Sequence, residues 1–271
     1  MAYPTIDAPY GFKPVNLIGG QVFAGSTRNL PIAYNYNTNI FYGDFVQLTS
    51  GYVTLLANTI AGNAAVGVFL GCYYTNPSTK QRLFSQYYPA NTLAGDITAI
   101  ICDDPDTVFK AAVVTAAGTA TISSATSILV GQNLAGNTST GSIATGNSAG
   151  GVVGASTSGG NFRVLGLVPD TQISTSATYV SGGAPAATSV VVSGLTVGQV
   201  LPIGTDVFNV VAGQLQFTGA TLSSAATVTT TGNTTLTVTS IGTQVAGTVA
   251  LVQTPEVLVK ITFGAHRYYV A

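Results

Sequence analysis

Charge is what this sequence has least of. Asp, Glu, Lys and Arg make up 6% of the 271 residues, where a soluble domain usually carries about 25%. Eight basic against nine acidic groups leave a net charge of −1, so there is no positive field for nucleic-acid phosphates and no polybasic patch for anionic lipid. Neither nucleic acid nor a membrane is an expected partner. There is one histidine, His266, and any base, metal or pH-switch role would fall on it alone; its expected place is a strand end, covering an aromatic neighbour. Two cysteines, Cys72 and Cys102, offer neither a zinc spacing nor a disulfide framework, and they read as buried thiols in strands. The longest apolar run, from Ala64 to Tyr74, is too short and too broken by glycine to cross a bilayer. The opening residues, "MAYPTIDAPYGF", show no basic or apolar signal region, so synthesis in the cytoplasm is expected and the acceptor-like triplets at Asn137 and Asn233 carry no meaning.

Helix-forming residues are scarce as well, and Gly and Pro recur too often for any useful 3.6-residue period. What the chain has instead is β signal: 46% apolar residues, with 13 Tyr and 11 Phe, arranged in short alternating runs. "GDFVQLTSGYVTLL" from Gly43 alternates and turns at Ser50-Gly51, which predicts a hairpin. "AVGVFLGCYY" and "QRLFSQYYPA" flank the turn residues "TNPSTK" and predict another. Strands are expected around Ile97 to Cys102 and Val108 to Val114, broken at Asp103-Asp104-Pro105-Asp106, so the first part of the chain reads as an antiparallel meander. Between Lys110 and Arg163 no residue is charged, and the Gly/Ser-rich tract there predicts a long surface excursion holding one weak strand. From Thr171 to Gln253 alternating segments recur at the spacing of a small β-sandwich, with Gly232-Asn233 as a tight hairpin turn. "PEVLVKITFGAHRYYVA" then restores charge and aromatics. The predicted fold is all-β: an antiparallel barrel or sandwich formed by residues 1–170 and completed by 254–271, with 171–253 inserted as a small Ig-like β-sandwich.

Candidate chemistry is sparse. Gly146-Asn147-Ser148-Ala149-Gly150 matches G-x-S-x-G, and Asp170, Asp206 or Glu256 followed by His266 gives the chain order of an α/β-hydrolase. That motif needs a strand-to-helix turn, which a Gly/Ser-rich tract does not predict, so a loop is expected. Asp103 to Asp106 lacks the Gly and distal Glu of an EF-hand, which makes a turn capped by its own carboxylates the expectation. No catalytic, cofactor-binding or metal-ligating residue is assigned, and no enzyme activity is expected.

Prolines at 9 and 14 bar "DAPYGFKPV" (residues 7–15) from a helix or a central strand. The segment reads as a stiff extended arm whose alternating rings, Tyr10 and Phe12, need a surface to lie on, either the protein's own core or a neighbour's. In order along the chain, "DAPYGFKPV", "NIFYGDFVQL", "GVFLGCYYT", "FSQYYPA", "DDPDTVF", "AGNTSTG", "FRVLGLVPD" and finally "EVLVKI" resemble the decoration, or cement, proteins of tailed-phage capsids. Residues 171–253 fall outside the resemblance. It implies a structural protein on the outer surface of the virion head, a homo-oligomer with a trimer preferred to a dimer, that bridges and stabilises major capsid protein subunits. Under that reading Pro9, Tyr10, Gly11, Phe12, Pro14, Tyr87, Tyr88 and Pro89 are the expected interface. The alternative is a tail-fibre or receptor-binding β module that recognises host surface glycans.

Overall fold

The computed structural model describes residues 9–56, 65–114, 130–137, 141–156, 160–171, 173–201, 203–253 and 256–262. Along the first part run β1 (Phe12–Leu17), β2 (Arg28–Pro31), β3 (Phe45–Thr49), β4 (Tyr52–Leu55), β5 (Ala65–Thr75) and β6 (Arg82–Ser85). β7 (Thr98–Cys102), β8 (Thr107–Val114), β9 (Asn133–Asn137), β10 (Gly151–Ser156) and β11 (Phe162–Leu167) follow. A 3-10 turn at Pro169–Thr171 leads to β12 (Ile173–Gly182), β13 (Ser189–Ser193), β14 (Val200–Leu201), β15 (Asp206–Val211) and β16 (Gln214–Thr221). The chain ends through β17 (Ala226–Thr227), β18 (Asn233–Thr237), β19 (Thr248–Gln253) and β20 (Glu256–Ile261). The fold is all-β, as the composition predicts. Among the described residues it divides into two units, one spanning Val168–Glu256 and the other made of the segments that end at Leu167 and resume at Val257.

The discontinuous unit contains two sheets. In the first the order is β2-β7-β5-β3-β4, with β6 also on β5. The expected hairpins are there: β3 and β4 close with Thr49 opposite Tyr52, and β5 and β6 with Thr75 opposite Arg82. Its apolar face buries Val46, Val53, Phe69, Cys72, Tyr88 and Ile101. Both cysteines are free, buried and in strands, and burial pushes the Cys72 thiol up to about 12 and that of Cys102 up to about 11. The expected meander is corrected: β2 pairs with β7 and β5 with both β3 and β7, so beyond the two hairpins the strand order is not sequential, and the Asp103–Asp106 turn carries the chain out of this sheet to β8, which pairs elsewhere.

The second sheet runs β1-β8-β10-β9-β11-β20 and returns from β20 to β8, which closes those last five strands into a barrel. β1 lies against the Thr107–Ala111 half of β8, while β10 takes Val113 and Val114. Pro14 therefore sits in an end strand of the sheet, opposite Phe109 and next to a register shift, as a residue without an N–H must. The Gly/Ser-rich tract corrects its expectation: it supplies two barrel strands, β9 and β10, with Leu134 and Val152 fully buried. The reason is close approach. A Cβ at Gly151 would fall on the Ala112 carbonyl oxygen of β8, so the strand crosses here only because glycine has none.

The Val168–Glu256 unit has one six-stranded antiparallel sheet, β16-β15-β19-β12-β13-β18, and a two-stranded one, β14-β17. The outer strands of the larger sheet meet, since Leu222 and Val238 form a bridge and Thr239 N–H donates to the Thr221 carbonyl at 2.7 Å. Val190, Val192, Leu236, Val249 and Leu251 from the large sheet share one core with Leu201 of β14 and Val228 beyond β17. The Gly232-Asn233 hairpin is corrected: β17 pairs with β14 and β18 with β13, so the turn joins strands that are not partners.

Candidate functional site

Segments far apart in sequence meet around Gly11 and Gly43. Gly11 N–H donates to the Gly150 carbonyl at 3.1 Å, Phe12 N–H to the Gly43 carbonyl at 3.0 Å, and Ser148 N–H to the Tyr42 carbonyl at 2.9 Å. Gly11 has φ +79°, and a Cβ there would lie 2.7 Å from the Gly43 oxygen and 2.8 Å from the Ser148 Cβ; only glycine fits. Tyr88 extends the junction by exchanging backbone hydrogen bonds with Ile40 at 2.7 and 3.2 Å, and its hydroxyl donates to the Tyr36 carbonyl at 3.0 Å. Tyr87 stacks on Phe41 with centroids 5.5 Å apart.

The extended arm is thereby corrected into an integral strand. Phe12 lies 4.2 Å from Phe45 and 4.7 Å from Phe162, ring to ring, so its surface is the protein's own core. Of the eight expected interface residues, Pro9, Gly11, Phe12 and Tyr88 are buried within their own unit. Tyr10, Pro14, Tyr87 and Pro89 keep partial exposure. Tyr10 sits under two cations, with the Lys13 ammonium 4.3 Å and that of Lys110 5.7 Å from its centroid.

Asp44 lies inside the same junction, 2% exposed. Phe41 N–H donates to its Oδ2 at 2.7 Å, yet burial outweighs that bond and the Ser148 hydroxyl and pushes the carboxyl up to about 6. Ser148 is itself 2% exposed and its Oγ accepts the Gly150 N–H at 2.9 Å, so the G-x-S-x-G residues form a packed loop. Asp170, Asp206 and Glu256 belong to the other unit. There Asp206 accepts the Thr221 hydroxyl at 3.1 Å, and burial pushes it up to about 7. His266 lies outside the described residues.

The Asp103–Asp106 turn is held by its own groups and by two cations. Asp104 Oδ1 accepts the Asp106 N–H at 2.9 Å, Arg28 Nε is 2.9 Å from Asp103, and Lys260 Nζ is 3.5 Å from Asp106. Among the described residues no group of three or more His, Cys, Asp or Glu is placed to hold a metal ion.

Sequence reasoning missed an open cleft of about 920 Å³ on the first sheet, lined by Tyr34, Tyr52, Thr75, Arg82, Asp96 and Thr98 among others. Tyr34 is 63% and Tyr52 45% exposed. Asp96 is fixed by one neighbour: Thr75 N–H donates to Oδ1 at 3.0 Å and Thr75 Oγ1 to Oδ2 at 2.6 Å. Those bonds, the hydroxyl's first, hold its carboxyl below the usual range. The available signal was weak: aromatics in the strand-free stretch "AYNYN" and an acid between two strands. Comparison of the chain with known protein families, with curated proteins and with solved structures finds no match in any of the three.

Proposed function

We propose that this is a non-enzymatic structural protein of a tailed-phage virion that decorates the outer surface of the head and bridges major capsid subunits as a homo-oligomer. One observation carries the reading. Segments that resemble cement proteins, "NIFYGDFVQL", "FSQYYPA" and the described part of "DAPYGFKPV", lie in one unit and interlock around Gly11, Gly43 and Tyr88, and Phe162 of "FRVLGLVPD" stacks on Phe12 in the same unit. The block without resemblance forms the other unit. A lattice protein needs large uncharged contacts with apolar anchors and polar rims, and 6% charge with exposed Phe84 and Leu93 suits that need.

Mass-spectrometric counting of copies per virion tests it: hundreds are expected, and a few tens or fewer would place the chain on a tail instead. Purified protein should also coat expanded heads that lack it, with little loss between about 50 and 500 mM salt, because so few charges are available to be screened. Affinity that collapses over that range would count against contacts of this kind.

A further inference from the structure

We propose that the cleft between Tyr34, Tyr52 and Asp96 is a binding site for a neutral carbohydrate. Its volume of about 920 Å³ lies within the range of small-ligand sites, about 300 to 1,000 Å³. Two features suit a ligand. Tyr34 and Tyr52 leave large ring surfaces in water, and Thr75 orients the exposed Asp96 carboxylate through a bond to each oxygen, while a carboxylate has about four acceptor positions.

The chemistry selects the ligand class. A pyranose has a C–H face and a hydroxyl rim: the face suits the electron-rich ring of a tyrosine, and adjacent hydroxyls suit a carboxylate whose orientation is already fixed. Arg82 supplies donors at the same cleft, so sugar oxygens find partners of both kinds. A cationic peptide is disfavoured because the Arg82 guanidinium already lies over the Tyr73 ring at 5.5 Å from its centroid and would repel a second cation. An anionic ligand would face Asp96. An acyl chain would cover the polar Ser50, Thr75 and Thr98 for no return.

Sugar binding here stands apart from capsid attachment, since a chain that failed to coat heads would still hold its sugar. It also differs from glycan recognition by the Thr/Ser-rich Val168–Glu256 unit, because the cleft residues all belong to the other unit. The probes are a printed array of neutral hexose and N-acetylhexosamine oligosaccharides, followed by calorimetric titration of the strongest hit into the full chain. Tyr34→Ala and Asp96→Asn are each expected to weaken that hit by about tenfold, with Tyr34→Ala leaving the melting temperature unchanged. Full affinity in both variants would overturn the proposal. So would silence across the neutral array, or binding confined to acidic sugars or to a Lys/Arg peptide.

Discussion

Truncating Phe12 to alanine decides whether the N-terminal segment serves the protein's own core or a neighbour. The ring is 1% exposed and touches Phe45 from one sheet and Phe162 from the other, so it helps join the two layers of its unit. Removing a buried Phe costs about 3 to 5 kcal/mol, and losing two aromatic contacts, each worth about 0.5 to 1.5 kcal/mol, puts this site toward the upper end. For a unit of this size each kcal/mol moves the melting temperature by about 2 to 4 °C, so Phe12→Ala should melt about 10 °C or more below the parent. The chain has no tryptophan, which makes differential scanning calorimetry the natural assay; it also separates the transitions of the two units. Phe12→Leu, which keeps most of the volume, should lose less than half as much. A shift under about 2 °C for Phe12→Ala, with capsid binding lost, would refute burial at home and restore the interface role. By the same reasoning, deleting residues 1–14 should yield a chain that does not fold, where a free arm would leave a soluble one.

Burial sets the sign of the pH dependence. Asp206 is pushed up to about 7 in the fold from a usual value near 4, so its burden is absent below about pH 4, grows as pH rises and is complete above about pH 7; Asp206→Asn should stabilise that unit by about 4 kcal/mol at pH 8 and by nothing at pH 3.5, and equal gains at both would show that charge is not the cause. Cys72 and Cys102, with thiols raised to about 12 and about 11, should ignore Ellman's reagent in the native protein and react fully in guanidinium; rapid native labelling would contradict their burial. Gly151→Ala should cost about 3 kcal/mol, because the added methyl meets the backbone of β8 rather than a yielding side chain; a silent substitution would mean the tract is not in the barrel. Replacing residues 171–253 with a short Gly-Ser linker should leave the other unit's calorimetric transition in place, and its disappearance would mean that the two share a core.

Hairpins were legible where turn chemistry and alternation agreed, as at Ser50-Gly51 between β3 and β4. The Gly/Ser-rich tract was not legible, because the property that makes it look like a loop, missing side chains, is what lets β10 lie close to β8. Phe12 was correctly seen to need burial, but alternation along one strand says nothing about whose surface receives the ring. Ser148 looked like a nucleophile by spacing, and only its hydrogen bond to Gly150 and its contact with Gly11 reveal a packed loop. The cleft was invisible because Tyr34, Tyr52 and Asp96 are scattered in sequence and come together only through the sheet order β2-β7-β5-β3-β4, with Tyr34 beyond β2, Asp96 before β7 and Tyr52 in β4.

The order in which the chain folds follows from how the strand pairs nest. Leu167 and Val257 are partners across β11 and β20, and just inside them Ile173 and Gln253 are partners across β12 and β19. While residues 168–256 are unfolded, zipping β11 onto β20 must close a loop of that whole length, and relative to a short turn this costs about 3 kcal/mol in chain entropy. Once β12 and β19 have paired, the loose ends are delivered side by side and most of that cost is already met. Nucleation is therefore favoured in the inner unit, with the barrel strands zipping afterwards, so a lesion that slows the inner unit should also delay the arrival of β20 at its place beside β11.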